Sequence, residues 1–364
     1  MSLRFAAPDA PTWSSRDKIA AEHAHPKFGQ VFSDHMAVAT WTREGGWVDD
    51  AVTDYGPLAM NPAGAVLHYA QEIFEGLKAY RHEDDSVWLF RPDLNAERFA
   101  RSAHRLALPE LDPTDFVTSC RHLAEVDSRW VPEAGGPSGE KSLYLRPFMI
   151  AHQDFLGVSP ASKVLYCVIA SPVGAYFSGG VHPVRIWVER DQARATPGGT
   201  GEAKCGGNYA ASLLAQEKAR ERGCEQVLFL DAVEHAWVEE LGGMNVMVVT
   251  DDGQLVTPAL SGSILHGVTR RSILEVAPDL GLEPVERRLG IDELLEGLTS
   301  GRFTEAFACG TAAVVTPIGA LVDGEREVNP VNQTGGTTMR IRQHLLDIQF
   351  GRCEDTRGWL QQVC

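Results

Sequence analysis

Apolar and polar positions along the chain change rhythm once. In the first half, short apolar runs alternate with tight turns. Residues 31–41, 87–90, 143–150 and 163–171 read as strands, and Gly45-Gly46 is a turn into a return strand that starts at Trp47. Helical spacing predicts a helix over 95–108, capped by Asn95, with Phe99, Ala103 and Leu106 on one face. A second helix follows over 112–130. Residues 1–27 are polar and broken by Pro8, Pro11 and Pro26, which predicts a loosely ordered lead-in. The Gly- and Pro-rich stretch 172–183 reads as a linker. Beyond it, strands (184–189, 226–230, 246–250, 305–308) alternate with helices (208–222, 270–277, 292–299, 339–350), and Gly223 takes the position after a helix end. The pattern predicts a mixed chain of helices and strands with a small N-terminal domain over 1–173, an interdomain loop over 174–183 and a larger C-terminal domain over 184–364.

Composition narrows the classes of partner. The 364 residues carry a net charge of −16, which argues against nucleic acid and against an anionic membrane surface. Seven cysteines, at 120, 167, 205, 224, 309, 353 and 364, are odd in number and irregular in spacing. No Cys-x-x-Cys occurs, so neither a metal site nor a disulfide framework is expected, and reduced thiols in a cytoplasmic setting are. Residues 1–10 lack a basic start followed by a long apolar run, so no signal peptide is expected, and no apolar run reaches membrane-spanning length.

The candidate chemistry centres on residues 196–209, where five glycines surround Lys204. Glycine at that density marks backbone that turns sharply or closely approaches a ligand. A plain surface loop is the common alternative. A phosphate loop is excluded, because Ala203 and Cys205 stand where it needs Gly and Ser or Thr. A lysine amine can also react with a carbonyl. Further on, Glu240 lies beside Gly242-Gly243, with Glu239 next to it reading as a surface acid. Gly267-Val268-Thr269 opens a helix whose N–H groups suit a phosphate, and Gly310-Thr311-Ala312 is a second small-residue turn. In the first half, Arg98, Arg101 and Arg105 share a helix face, a solvated basic stripe or an anion site. Tyr144 and Arg146 share a strand face, and Arg146 there needs a carboxylate partner, from the protein or from a ligand. A lysine, an acid, phosphate-type turns and an arginine are the parts that pyridoxal phosphate requires.

Eight stretches occur in an order that makes the pattern specific: Phe74-Glu75-Gly76-Leu77-Lys78-Ala79-Tyr80, Arg101-Ser102-Ala103, Tyr144-Leu145-Arg146-Pro147, Pro172-Val173-Gly174-Ala175-Tyr176, Lys204-Cys205-Gly206-Gly207-Asn208-Tyr209, Glu240-Leu241-Gly242-Gly243-Met244-Asn245, Gly267-Val268-Thr269-Arg270 and Gly310-Thr311-Ala312. In these the chain resembles the branched-chain amino-acid aminotransferases, pyridoxal-phosphate enzymes of fold type IV, over nearly its whole length. The resemblance implies an α+β (mixed α/β) architecture with the active site at the domain interface, in a homodimer that acts on amino acids and 2-oxo acids. It implies transamination between branched-chain L-amino acids and 2-oxoglutarate. Same-fold alternatives are a D-amino-acid aminotransferase or an aminodeoxychorismate lyase.

By the resemblance, Lys204 is the Schiff-base lysine and proton carrier, Tyr209 bonds the ring oxygen, and Glu240 pairs with the pyridine nitrogen. Arg101, Val268, Thr269 and Thr311 hold the phosphate. Tyr69 and the backbone at Thr311-Ala312 receive the substrate α-carboxylate. Phe28, Phe74, Tyr144 and Tyr176 line the side-chain pocket, Arg146 takes the γ-carboxylate of glutamate, and Leu156 and Val158 come from the second subunit. Two departures stand out. Ala313 and Thr316 occupy the places of a redox Cys-x-x-Cys found in mammalian members. Gly243 replaces a threonine near the substrate, which leaves a roomier pocket.

Overall fold

The computed structural model describes residues 2–136, 139–174 and 181–364; the Tyr176 assignment lies outside them. The chain forms two compact units. The first comprises Met1–Tyr176, Ala203–Gly206 and Leu346–Cys364, and the second Phe177–Glu202 and Gly207–Leu345. A single cut of the sequence near residue 173 has no place for the two later segments of the first unit.

The first unit is built on one antiparallel sheet. Its strands are β1 (His35–Thr42), β2 (Gly46–Asp54), β3 (Glu72–Phe74), β4 (Leu77–Arg81), β5 (Val87–Phe90), β6 (Ser142–Ala151) and β7 (Lys163–Val173). The order is Leu360–Gln362, β5, β4, β6, β7, β1, β2, with β3 also paired to β6. β6 and β7 form the longest ladder, from Ser142 opposite Val173 to Ala151 opposite Val164. Four helices belong here: α1 (Arg16–Ala24), α2 (Ala65–Tyr69), α3 (Pro92–Arg105) and α4 (Pro113–Val126). Asp112 caps α4, its carboxylate accepting the Thr114 N–H at 2.8 Å. Phe99 of α3, Phe116 of α4 and Tyr166 of β7 pack together in the core, Phe99 tilted against Phe116 at 5.1 Å and edge-on to Tyr166 at 5.6 Å.

Two local expectations change. The lead-in contains α1, started by Ser15, whose hydroxyl accepts the Lys18 N–H; only Ile19 of that helix is buried, so no apolar stripe announces it. Asn95 is not the cap of α3. The helix begins one turn earlier at Pro92, whose fixed φ suits a first helical position, after Arg91 in the left-handed region. Asn95 is thereby turned into the interior.

The second unit carries a mixed sheet. Its strands are β8 (Val184–Glu189), β9 (Gln226–Leu230), β10 (Val238–Leu241), β11 (Asn245–Thr250), β12 (Gln254–Pro258), β13 (Glu283–Arg287), β14 (Phe303–Gly310), β15 (Val314–Asp323) and β16 (Arg326–Val328). The order is β10, β9, β8, β15, β14, β11, β12, β13, with β16 on β15. β8 runs parallel to β9 and β15, and β12 parallel to β13. Helices α5 (Gly206–Glu221), α6 (Val268–Val276), α7 (Ile291–Ser300) and α8 (Gly336–Gln349) complete the fold. β10 escapes sequence reading because two of its four residues are glutamates. β15 escapes because Pro317 and Gly319 interrupt its pattern, and β13 because it is a charged edge strand with no buried position.

Candidate active site

Lys204 lies in the short stretch that joins the first unit, and its backbone is pinned on both sides. Its N–H donates to the Ser102 hydroxyl of α3 at 2.9 Å, and its carbonyl accepts the Phe74 N–H of β3 at 2.9 Å. Two residues on, the Gly206 N–H donates to the Glu72 carboxylate. Burial pushes the Glu72 carboxyl up, against the Gly206 N–H and the charge of Arg146. Ala203 and Cys205 are buried in the apolar core of the unit and anchor the lysine between them. The lysine is half-buried, with Nζ 4.6 Å from the centre of the Phe74 ring. Cys205, given no role from the sequence, is thus a core residue.

Beside the lysine runs a buried polar network. Glu75 accepts from Arg98 Nε at 2.6 Å and Nη2 at 2.8 Å, from the Asn95 amide at 2.7 Å and from the Gly76 N–H at 3.0 Å. Burial alone would raise its carboxyl. Arg98, reinforced by Lys204 and Asn95, overcomes that and holds it below the usual carboxylate range.

The same unit contains a cavity of about 330 Å³ lined by Phe28, Phe32, Tyr144, Arg146, Ile169 and Ser171. Phe28 meets Tyr144 edge-on at 4.9 Å. Arg146 Nη2 donates to the Tyr144 hydroxyl at 3.1 Å, and its guanidinium lies 4.8 Å from the Phe74 ring and 5.3 Å from the Tyr144 ring. No carboxylate among the described residues forms an ion pair with Arg146, and its buried Nε has no protein partner. Gly76 makes room for this arrangement, since a Cβ there would stand 2.0 Å from the Tyr144 hydroxyl oxygen.

In the second unit, Glu240 of β10 is 2% exposed. Its Oε1 accepts from Arg194 Nη1 at 2.7 Å and from the Leu265 N–H at 3.0 Å, and its Oε2 from the Asn245 amide at 3.1 Å. The same Asn245 amide donates to the Leu265 carbonyl at 3.1 Å, which ties the acid to the segment leading into α6. Gly267 precedes that helix, and a Cβ on it would stand 2.0 Å from Asn245 Oδ1. Val268 and Thr269 form the first turn of α6, which no described side chain caps. Thr311 and Ala312 make the turn between β14 and β15. It starts at Gly310, where a Cβ would meet Met244 at 3.3 Å and the Gly243 carbonyl at 3.7 Å. A Cβ on Gly243 would lie 3.5 Å from the Tyr209 ring. Tyr209, Glu240, Gly243, Val268, Thr269, Thr311 and Ala312 are therefore gathered around one strand end.

Other candidates fall elsewhere. Arg98 is buried, but Arg101 and Arg105 are exposed, so the three arginines do not make one site. α3 turns Asn95, Arg98, Phe99 and Ser102 inward, while Arg101 projects outward with Glu97 at 3.9 Å. Leu156 and Val158 are exposed, and the Tyr69 hydroxyl donates to the Leu156 carbonyl. Glu239, expected at the surface, is buried, accepts from the Ser261 and Ser263 hydroxyls, and is pushed up by burial. Sequence reasoning missed the pairing of Glu75 with Arg98. The available signal was the place of Arg98 beside Phe99 on the apolar side of the helix.

Residues 72–321 match the class IV amino-transferase family. A probable branched-chain-amino-acid aminotransferase of Streptomyces coelicolor is 53% identical over 350 residues, 96% of either chain. The branched-chain-amino-acid aminotransferase of Mycobacterium tuberculosis is 49% identical over 369 residues, 100% of this chain and 99% of that one. Among solved structures, the Escherichia coli branched-chain amino acid aminotransferase superposes with a TM-score of 0.74 at 28% identity, covering 91% of this chain and 99% of that one. The branched-chain aminotransferase of the archaeon Thermoproteus uzoniensis, solved with norvaline, gives 0.73 at 27% identity, over 91% and 100%. With its amine, buried acid and glycine turns disposed as described, the chain belongs to the class IV aminotransferases.

Proposed function

We propose that the chain transfers the amino group of branched-chain L-amino acids to 2-oxoglutarate, with pyridoxal phosphate as cofactor. The observation that carries this reading is Arg146 at the wall of an apolar cavity, where no carboxylate of the described residues forms an ion pair with it and its buried Nε has no hydrogen-bond partner. An aliphatic side chain can lie against Phe28, Tyr144 and Ile169, and the γ-carboxylate of the second substrate can take Arg146, so one cavity suits both.

The residues present fit the cofactor. The donor set of the second unit offers a buried carboxylate for the ring nitrogen, and an uncapped helix start with Gly267 for the phosphate. When bound, pyridoxal phosphate supplies an electron sink for charge that develops at the substrate α-carbon. Lys204 would hold the cofactor through Nζ, and that amine, when free, would take the substrate α-proton and return it. Ser102 and Phe74 hold its backbone during that exchange, and Glu72 holds that of Gly206. Glu240 keeps the ring nitrogen protonated, and Tyr209 donates to the ring oxygen. Val268, Thr269 and Thr311 hold the phosphate. Arg101, exposed on α3 with Glu97 at 3.9 Å, is the further candidate for the phosphate. The α-carboxylate falls to Tyr69 and the Thr311-Ala312 backbone, and Phe74 closes the pocket.

We place the enzyme as a homodimer. Segments 59–69 and 152–158 are stitched together by His152 to the Ala59 carbonyl, a Gly64–Asp154 bridge and Tyr69 to Leu156. They present Met60, Leu67, Phe155, Leu156 and Val158 to the outside, an apolar patch suited to a second copy. No described helix is long and apolar enough to cross a membrane, and the free cysteines support the reading of a cytoplasmic setting.

The test is an absorbance spectrum of the purified protein with pyridoxal phosphate. A yellow band should shift on adding L-leucine and recover with 2-oxoglutarate, and Lys204→Ala should lose both band and turnover. A band that answers D-alanine and ignores L-leucine refutes the substrate assignment.

A further inference from the structure

Two adjacent glutamates of β10 are buried, Glu239 and Glu240, and the unit sets one buried cation beside them, Arg194, which is 4% exposed. The cation goes to Glu240, with Arg194 Nη1 at 2.7 Å from Oε1. Other donors of the same guanidinium go to backbone: Nη1 to the Ser263 carbonyl at 3.3 Å and Nε to the Gly242 carbonyl at 3.4 Å. The guanidinium also stands 5.9 Å from the Tyr209 ring. Glu239 receives hydroxyls instead, from Ser261 and Ser263. A planar fork held at three points cannot swing, so it fixes the carboxylate it touches. Its direct contact is with Glu240 alone of the two acids, and a nearby cation favours the charged form of the carboxylate it touches.

We propose that Arg194 is a positioning residue that fixes Glu240 as an oriented, ionised carboxylate and thereby keeps the shared proton on the cofactor's ring nitrogen. This rests on the proposed function. With Arg194 present, Glu240 is a poor proton acceptor but a good counter-ion, so the proton stays on the ring and the electron sink stays strong. Without it, the buried carboxylate takes the proton for itself and the ring nitrogen becomes neutral. Lys204 is untouched by the change, so substrate binding should survive while the proton-transfer step slows.

The experiment uses the full-length protein loaded with pyridoxal phosphate labelled isotopically at the ring nitrogen, read by NMR, together with steady-state kinetics. Arg194→Gln and Arg194→Met are both made, since one neutral side chain can fail to fold. Either should move the nitrogen resonance from its protonated to its neutral position. Either should lower kcat on the order of 10- to 100-fold, the usual effect of losing an outer partner of a functional group. The KM for L-leucine should change by less than about threefold, because ground-state binding is retained. Arg194→Lys should restore the protonated resonance. A neutral variant with the wild-type resonance and kcat overturns the proposal. A wild-type protein that leaves pyridoxal phosphate unbound overturns the functional reading as well, whereas a wild type that transaminates leucine beside an unchanged Arg194→Gln overturns this inference alone.

Discussion

Changing Glu75 to Gln tests the buried network that flanks Lys204. The substitution keeps shape and removes one charge, so Arg98 is left as a cation in the core, and of its two short contacts, 2.6 and 2.8 Å, only the one to the amide oxygen can survive, since the other would set two donors face to face. Breaking a buried ion pair from one side costs about 3–5 kcal/mol. A unit of this size loses about 2–4 °C in Tm per kcal/mol, which puts the expected fall at roughly 6–20 °C. The assay is thermal unfolding of the cofactor-free protein followed by circular dichroism. Glu75→Gln/Arg98→Met should cost less than the two single changes added together, because the double variant leaves no orphan charge.

The sign with pH follows from the depressed carboxyl of Glu75. Its contribution to stability is fully present above the carboxylate's unfolded value and is lost as pH falls through the lower folded value. The gap between wild type and Glu75→Gln is therefore full at neutral pH and closes only in strong acid. A single variant within about 1 kcal/mol of wild type at neutral pH, where a buried pair of this kind should count for several times that, would refute the reasoning.

Three further outcomes are expected. Arg146→Met should lower kcat/KM for 2-oxoglutarate by about 10- to 150-fold, since hydrogen bonds to charged groups contribute ~1.5–3 kcal/mol; the half-reaction with L-leucine should be nearly unaffected in stopped-flow traces. Gly76→Ala should displace Tyr144, whose hydroxyl lies 2.0 Å from the new Cβ. Its overpacking penalty of about 1–3 kcal/mol should be read in urea unfolding, with a raised KM for both substrates. Val158→Asp, at a position 81% exposed in the single chain, should leave the chain folded yet shift its sedimentation from dimer to monomer.

The candidate chemistry was legible where glycine punctuates the chain. Lys204, Glu240, Val268-Thr269 and Thr311-Ala312 each lie within two residues of a glycine, and such residues advertise themselves through local spacing. Arg146 was legible because a charge in an apolar strand is conspicuous. The residues that support these were not. Nothing in one sequence couples position 75 to 98, or 194 to 240, and Arg194 lies in an unremarkable polar run beside Asp191 and Gln192. Asn95 was misread because asparagine before an apolar periodic stretch is the ordinary sign of a cap, whereas Pro92 had already begun the helix. The mixed fold was visible in the rhythm of apolar runs. Among the missing strands, β10 carries glutamates and β15 a proline and a glycine at buried positions, where packing across the sheet outweighs local preference.

The order in which the chain leaves the ribosome gives the segment Ala203–Gly206 another meaning. The core of the first unit includes Ala203 and Cys205, and its sheet ends on Leu360–Gln362 beside Val87–Phe90. Its first 176 residues thus emerge without the plug, which follows directly after Phe177–Glu202, and without the edge strand, for which they must wait while the rest of the second unit is synthesised. Such long-range closures are slow and leave apolar surface uncovered meanwhile. The segment that bears the reactive amine is thus made early, and the late step in maturation is the arrival of the edge strand Leu360–Gln362, which closes the oldest part of the chain only after the second unit has been made.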